Sequence, residues 1–264
     1  MPTSPDWQEL TRFAIALAEA SAKEILPFFR RNTQVDVKSG PVWDPVTEGD
    51  RAGERVIRRL IEERYPSHGI HGEEYGIKEG RSGFTWMLDP VDGTRAFVCG
   101  MPTWATLIGL SFEGRPVVGL MNQPFVGDMF YGSPEGAWLD HRGVTQPIRA
   151  RSGIGLGSAT IGTTAPELYH AEADRAAFDR LKRKAQMTRY GGDAYFFAVM
   201  SAGHLDIAMD ANLQPYDIAP LLPIVSGAGG VYAEWTGGDA AMGGNVITAG
   251  SQALLEEALA VLRG

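Results

Sequence analysis

The stretch Asp89-Pro90-Val91-Asp92-Gly93-Thr94 decides how the rest of this chain is interpreted. It follows the apolar residues 84–88, which predict a buried strand, and it leads into a turn and a predicted helix. Two carboxylates three residues apart at the exit of a strand are expected to converge on one point. Oxygen ligands for a hard cation, beside the backbone N–H groups of Gly93 and Thr94, predict a site for phosphate and a metal ion.

The alternative for this stretch is an Asp-Gly turn with surface acids, because each dipeptide alone is common in turns. A second acidic pair, Gly72-Glu73-Glu74, lies upstream in a similar strand-to-loop context. Its presence favours the metal site over the plain turn.

Four separated motifs occur in a fixed order along the chain. They are residues 44–51 (Asp-Pro-Val-Thr-Glu-Gly-Asp-Arg), 72–74, 89–94 and 215–219 (Pro-Tyr-Asp-Ile-Ala), and the last is followed by a glycine-rich stretch at 227–230. This order, spread over residues 38–250, resembles the inositol monophosphatase family of metal-dependent sugar phosphatases. The resemblance implies a layered αβαβα fold.

The resemblance also implies a ligand set for metal ions. Glu73, Asp89 and the carbonyl group of Val91 would hold a first ion, and Asp92 and Asp217 would complete a second site that shares Asp89. Hard oxygen ligands without a cysteine or histidine cluster favour Mg²⁺, with two to three ions per site and Mn²⁺ as a possible substitute. Inhibition by lithium is expected from the resemblance alone.

Three residues are predicted to be catalytic. Thr94 and Asp50 resemble the family pair that orients and deprotonates the attacking water, and Glu73 is assigned to the same set. The N–H groups of Gly93 and Thr94 would bind the phosphate. Asp50 also fits a capping box with Thr47, and a capping role and a site role can coexist.

The substrate prediction depends on residues around the motifs. Arg95-Ala96-Phe97 stands where inositol phosphatases of the family usually have Thr-Asn-Phe, and it resembles the bacterial histidinol-phosphate phosphatase branch. We predict that the substrate contacts Arg95, Gly192, Asp193 and Asp210. The two acids suit an ammonium group, which favours histidinol phosphate, but they would also accept hydrogen bonds from inositol 1-phosphate. Phosphatases of 3′-phosphoadenosine 5′-phosphate or fructose 1,6-bisphosphate remain further alternatives.

The composition of the chain limits the kinds of partner that it is expected to bind. The chain has 264 residues, 44% of them hydrophobic, and a net charge of −8, which argues against nucleic acid. No apolar run reaches the roughly 20 residues of a membrane helix, and no signal peptide is evident. The lone Cys99, predicted to be a small packing residue, fits a reducing cytoplasm. The family resemblance implies a small phosphate monoester as the partner and a homodimer as the assembly.

Two other classes of protein fit these motifs less well. A catalytically dead homologue should have lost a ligand, yet every expected ligand is present. A nuclease that uses two metal ions should show a basic groove with aromatic residues beside the acids, and no cluster of Lys or Arg accompanies the motifs. Both classes are therefore disfavoured.

The pattern of elements predicts a mixed α/β chain, with an α+β first half (1–151) and an α/β second half (152–264) in one compact catalytic unit. In the first half, a helix over 6–31 and a helix capped by Thr47 precede short strands at 70–147. In the second half, strands at 158–162, 187–190, 205–209 and 231–235 alternate with helices at 170–184, 194–202, 216–227 and 252–262.

Overall fold

The computed structural model describes residues 5–31, 35–37 and 45–264. Asp44, the first residue of the upstream motif, lies outside the described residues.

The helices, in chain order, are α1 (Trp7–Ile25), α2 (Glu48–Arg64), α3 (Thr94–Val98), α4 (Glu172–Lys184), α5 (Ala194–Ser201), α6 (Pro215–Ile218), α7 (Leu222–Gly227) and α8 (Gln252–Arg263). Short 3₁₀ turns occur at Leu26–Phe28, Leu156–Ser158, Pro166–Leu168 and Ala240–Met242.

The strands, in chain order, are β1 (Val35–Val37), β2 (Pro45–Thr47), β3 (Gly69–Gly72), β4 (Gly76–Lys78), β5 (Phe84–Asp92), β6 (Ala105–Phe112), β7 (Arg115–Gln123), β8 (Asp128–Ser133), β9 (Gly136–His141), β10 (Val144–Pro147), β11 (Thr160–Thr163), β12 (Met187–Tyr190), β13 (Ile207–Leu213), β14 (Val231–Glu234) and β15 (Gly244–Ala249).

Two large sheets organise the fold. The first has the strand order β10-β9-β8-β7-β6-β5-β3-β4 and is antiparallel except between β3 and β5. The second has the order β12-β11-β13-β15-β14, in which β11 runs parallel to both β12 and β13. The first half is therefore α+β and the second half contains parallel α/β pairs, as predicted.

The buried side chains define five layers. One core joins α1 and α2 to one face of the first sheet, through residues such as Leu17, Ile57 and Trp86. A second core joins the other face of that sheet to α5, α7 and the second sheet. A third joins the far face of the second sheet to α4 and α8, with Phe178 and Leu254 as members. This order of layers confirms the predicted αβαβα architecture.

A row of glycines lets Pro220 and the first turn of α7 lie directly on the first sheet. Gly109, Gly119 and Gly132 are cross-strand neighbours on β6, β7 and β8. A Cβ atom on Gly119 would lie 2.0 Å from the carbonyl oxygen of Pro220, and one on Gly132 would lie 2.3 Å from that of Pro223. Backbone therefore contacts backbone here, with no side chain between them.

Some predicted elements were wrong. The single helix expected at 216–227 is two helices, because Pro220 and Pro223 lack the N–H that a continuous helix would use, and Pro223 is tolerated in the first turn of α7. The strand β15 was not predicted. Cys99 is exposed, not packed inside.

The sheets are consistent with a boundary near residue 151, since β10 ends at Pro147 and β11 begins at Thr160. The division of the chain into two subdomains stays a prediction. In the part of the chain that the structure describes, no helix combines the length and the apolar character needed to cross a bilayer.

Candidate active site

An irregularity in β5 brings Asp89 and Asp92 together. In a regular strand, residues three apart point to opposite faces. Here the pairing of β5 with β6 shifts register between Asp89 and Asp92, and Oδ1 of Asp89 accepts a hydrogen bond of 3.0 Å from the N–H of Val91. The shift allows both carboxylates to turn toward one cavity.

Glu73 reaches the same cavity from the neighbouring strand. It follows β3, which is parallel to β5, and its N–H donates to the carbonyl oxygen of Leu88 at 3.1 Å. Burial, and then the charges of Glu73, Asp92 and Asp217, raise the pKa of Asp89 well above its ordinary value. Glu73 thus lies close enough to Asp89 to affect its ionisation.

Asp217 comes from the second half of the chain. It occupies the third position of α6, where its Oδ2 accepts a hydrogen bond of 2.7 Å from the N–H of Gln214. One carboxylate oxygen each from Asp89, Asp92 and Asp217 lie within 4.8 Å of one another. Burial and the charges of Asp193 and Asp217 raise the pKa of Asp92 as well.

These carboxylates fit a hard divalent cation. Burial first, and then repulsion between like charges this close, raises the pKa values of Asp89 and Asp92, and a bound cation would remove the repulsion. The buried carbonyl group of Val91, also predicted as a ligand, accepts a hydrogen bond of 3.0 Å from the Thr94 hydroxyl. The structure therefore gathers the predicted ligands Glu73, Asp89, Val91, Asp92 and Asp217 around one cavity.

Gly93 and Thr94 begin α3 at the edge of this cavity. Gly93 has φ 76°, a left-handed conformation that glycine adopts without strain. A Cβ atom on Gly93 would lie 3.0 Å from Cγ of Asp193. Glycine is thus required here both by the turn and by the close approach of Asp193.

Asp50 lies behind Thr94. Its Oδ2 accepts hydrogen bonds from the N–H and the hydroxyl of Thr47, at 2.9 Å and 2.5 Å, and forms the predicted capping box of α2. Its Oδ1 faces the Thr94 hydroxyl at 3.3 Å. Burial raises the pKa of Asp50 to about 6. The capping role of Asp50 therefore leaves one oxygen available to Thr94.

The predicted substrate residues lie in different environments. Asp193, Asp210 and the exposed Arg95 line the cavity. Asp210 is buried and accepts hydrogen bonds from the Thr163 hydroxyl and from the N–H and hydroxyl of Thr164, all at 2.7–2.8 Å. Burial raises the pKa of Asp210 to about 7.

Burial also raises the pKa of Asp193 to about 6, against an opposing effect of the Arg95 charge. Gly192 is buried against the ring of Phe196 and is not among the residues that line the cavity. Of the four predicted substrate residues, Gly192 is the one that the structure places outside the cavity wall.

The cavity has a volume of about 210 Å³ and includes residues that the sequence reasoning missed. Those residues are Pro45, Thr164, Leu168, Ala194, Phe197, Leu213 and Leu221. Thr164 follows the strand β11, and Asp210 lies in the middle of the parallel neighbour β13, two residues beyond Ala208, the last residue that pairs with β11. Sites in α/β sheets form at the carboxyl ends of parallel strands, so this rule offered a signal for Thr164.

A fold of five alternating layers with an acidic cluster at the end of a strand defines a class of phosphatases, and comparison with known proteins identifies the family. The sequence model of the inositol monophosphatase family matches residues 6–263. This chain therefore belongs to the inositol monophosphatase family. It is a phosphatase of a family whose members are metal-dependent and act on small phosphate monoesters.

Individual relatives carry more than one name. The chloroplastic bifunctional phosphatase IMPL2 of Arabidopsis thaliana is 36% identical over 95% of this chain and 75% of the relative. The histidinol-phosphatase of Chlorobaculum parvum is 30% identical, covering 98% of this chain and 97% of the relative. A solved inositol monophosphatase from Zymomonas mobilis has 35% identity and a TM-score of 0.86, over 98% of this chain and 100% of the other.

Proposed function

We propose that this protein is a Mg²⁺-dependent phosphomonoesterase that hydrolyses histidinol phosphate to histidinol and phosphate. The observation that carries the choice of substrate is the presence of Asp193 and Asp210 in the same cavity as the acidic cluster. Two carboxyl groups beyond the predicted ligand set suit a substrate that carries an ammonium group. The histidinol-phosphatase from Chlorobaculum parvum, which aligns with nearly the whole chain, supports this choice.

The predicted ligands Glu73, Asp89, Val91, Asp92 and Asp217 would hold the ions. When bound, divalent ions supply the positive charge that neutralises the phosphoryl oxygens and favours ionisation of a nearby water. The N–H groups of Gly93 and Thr94 would hold the phosphate at the start of α3. Mn²⁺ would substitute for Mg²⁺, since it prefers the same oxygen ligands.

Thr94 and Asp50 would handle the proton of the attacking water. The Thr94 hydroxyl lies within reach of Oδ1 of Asp50, at 3.3 Å, and of the Val91 carbonyl oxygen, at 3.0 Å. Asp50 would accept a proton from water through Thr94, and its second oxygen is held in place by Thr47. Glu73 is proposed to share this catalytic role while it binds metal.

The second candidate is hydrolysis of inositol 1-phosphate. The hydrogen bonds to Asp210 favour it, because a carboxyl group with three polar partners already in place is well suited to join a network of hydroxyl groups. The inositol monophosphatase from Zymomonas mobilis has a closely similar fold. Both candidates use the same metal and phosphate residues and differ only at the alcohol side of the cavity.

Phosphate release from four substrates tests the proposal. Histidinol phosphate, inositol 1-phosphate, 3′-phosphoadenosine 5′-phosphate and fructose 1,6-bisphosphate are compared with and without Mg²⁺. We expect the highest kcat/KM with histidinol phosphate and no release in excess chelator. A higher kcat/KM with inositol 1-phosphate would favour the second candidate, and full activity in chelator would contradict the metal dependence. Light scattering tests the predicted homodimer. The predicted cytoplasmic location remains a prediction.

A further inference from the structure

Glu54 is a buried carboxylate whose partners belong to the loop that carries Glu73. Its side chain lies on α2 and is 0% exposed. Its Oε2 accepts a hydrogen bond from the N–H of Glu74 at 2.7 Å, and its Oε1 accepts one from the N–H of Tyr75 at 3.2 Å. The two residues that follow Glu73 are therefore attached to α2 through one side chain.

Arg58, one turn further along α2, completes the attachment. Its Nε donates to Oε1 of Glu54 at 2.6 Å, and its Nη2 donates to the carbonyl oxygen of Gly76. Together, Glu54 and Arg58 bind two N–H groups and one carbonyl group of the backbone at residues 74–76. A carboxylate and a guanidinium fix the path of a loop in this way, because their hydrogen bonds to the backbone are directional.

Gly72, the residue before Glu73, leaves room for the Glu54 carboxylate. A Cβ atom on Gly72 would lie 2.0 Å from Oε1 of Glu54, so a larger residue would displace the carboxylate. The N–H of Glu73 itself donates to the carbonyl oxygen of Leu88 on β5. The backbone of Glu73 is thus bonded to β5, and the residues on both sides of Glu73 contact Glu54.

We infer that Glu54 is a positioning residue for Glu73: together with Arg58, it shapes the loop so that the Glu73 carboxylate faces Asp89 before a cation binds. The inference rests on the proposed function in one respect, the role of Glu73 as a metal ligand. Burying a carboxylate and a guanidinium costs desolvation energy that an exposed pair avoids. The exposed pair Arg59–Glu63 on the same helix shows the ordinary alternative.

Calorimetric titration of Mg²⁺ into the metal-free protein tests the inference without any substrate. The variants are E54Q, E54D and the matched control E63Q, which removes an exposed partner at the same spacing on α2. E54Q places an amide N–H where a carboxylate accepts hydrogen bonds, and E54D keeps the charge but is too short to reach the loop. We expect the Kd for Mg²⁺ to rise about 10- to 100-fold in both Glu54 variants and to stay unchanged in E63Q. Unchanged affinity in either folded Glu54 variant would overturn the inference.

Hydrogen exchange in the wild-type protein gives a second test that needs no variant. With chelator present, the amides of Glu74 and Tyr75 are expected to exchange slowly, because Glu54 already holds them. Rapid exchange that slows only when Mg²⁺ is added would mean that the cation orders the loop, and it would overturn the inference. If the wild-type protein binds no Mg²⁺, the proposed function fails, while slow exchange in chelator would still show the loop to be preformed.

Discussion

Asp92 accepts a hydrogen bond of 2.8 Å from the backbone N–H of Ala194, a residue 102 positions later in the chain. Ala194 is the first residue of α5, and the residue before it, Asp193, has φ 46° and ψ −144°. A side chain of this size rarely adopts such a backbone, which costs about 1–3 kcal/mol. The contact between Asp92 and Ala194 therefore maintains a strained residue beside a predicted metal ligand.

Replacement of Asp193 by glycine is expected to separate stability from substrate binding. Glycine adopts positive φ without strain, so D193G should keep or raise Tm. The loss of the carboxylate should raise KM for histidinol phosphate about tenfold or more, since a hydrogen bond to a charged group contributes roughly 1.5–3 kcal/mol. D193N serves as the control that loses the charge but keeps the strain. An unchanged KM in both variants would remove Asp193 from the substrate site.

Thr94 is expected to affect turnover more than metal binding. T94V removes the hydroxyl that faces Asp50 but keeps the shape of the side chain, so kcat should fall by about two to four orders of magnitude. T94S retains a hydroxyl and should keep most of the activity. Calorimetry should give a similar Kd for Mg²⁺ in all three proteins. A large loss of Mg²⁺ affinity in T94V, with normal kcat at saturating Mg²⁺, would refute the assigned role.

Replacement of Asp89 by asparagine is expected to lower activity and to raise the stability of the metal-free protein. D89N should lower kcat by at least about a thousandfold, because Asp89 is the ligand proposed to be shared by two ions. The same change removes a buried charge beside Glu73, Asp92 and Asp217, so Tm in chelator should rise. Calorimetric scans with and without Mg²⁺ measure both effects. A Tm that falls in chelator would mean that Asp89 stabilises the fold by itself.

The stability of the metal-free protein is expected to fall as the pH rises. Burial raises the pKa of Asp50 to about 6 and that of Asp210 to about 7, from an ordinary value of 3.8. Across that interval the folded protein binds protons that the unfolded chain has released, so the free energy of unfolding decreases with pH. Tm in chelator should therefore be several degrees lower at about pH 8 than at about pH 5.

Added Mg²⁺ provides the control for this pH dependence. Because the cation offsets the charges that burial and mutual repulsion disfavour, it should raise Tm more at about pH 8 than at about pH 5. Differential scanning calorimetry at both values, with and without the ion, gives four Tm values to compare. A Tm that increases with pH in chelator would show that other groups dominate.

Asp210 is expected to determine selectivity. D210N removes a negative charge but retains an oxygen that accepts a hydrogen bond, so it should raise KM for histidinol phosphate by about ten- to a hundredfold. KM for inositol 1-phosphate, which carries no ammonium group, should change much less. Equal losses on the two substrates would indicate that Asp210 binds only hydroxyl groups.

Most elements, and the acidic residues proposed as ligands, could be predicted from short motifs and from the family that those motifs resemble. Asp89, Asp92 and Asp217 stand in short motifs at the ends of apolar runs, and the N-cap Thr47 was evident from its spacing to Asp50. What local sequence does not encode is the register shift inside β5, which depends on pairing with β6. The bond from Ala194 to Asp92 was also unpredictable, because it joins residues far apart in the chain.

The incorrect or missing predictions have different origins. The apolar pattern of residues 216–227 fits a single helix, but Pro220 and Pro223 divide this segment into two helices. β15 is almost fully buried between β13 and β14 and therefore lacks the alternating pattern by which exposed strands are recognised. Thr164 has no charge or motif of its own, and only its place beside Asp210 brings it into the cavity.

The row of glycines beneath α6 and α7 limits which chimaeric proteins can be made from this enzyme and its relatives. Asp217 lies just before the segment that rests on Gly119 and Gly132, so its distance from Asp89 is set where main chain meets main chain. No exchange of side chains can readjust such a contact. Second halves taken from relatives should therefore yield working chimaeras only when the first half keeps glycine at all three positions.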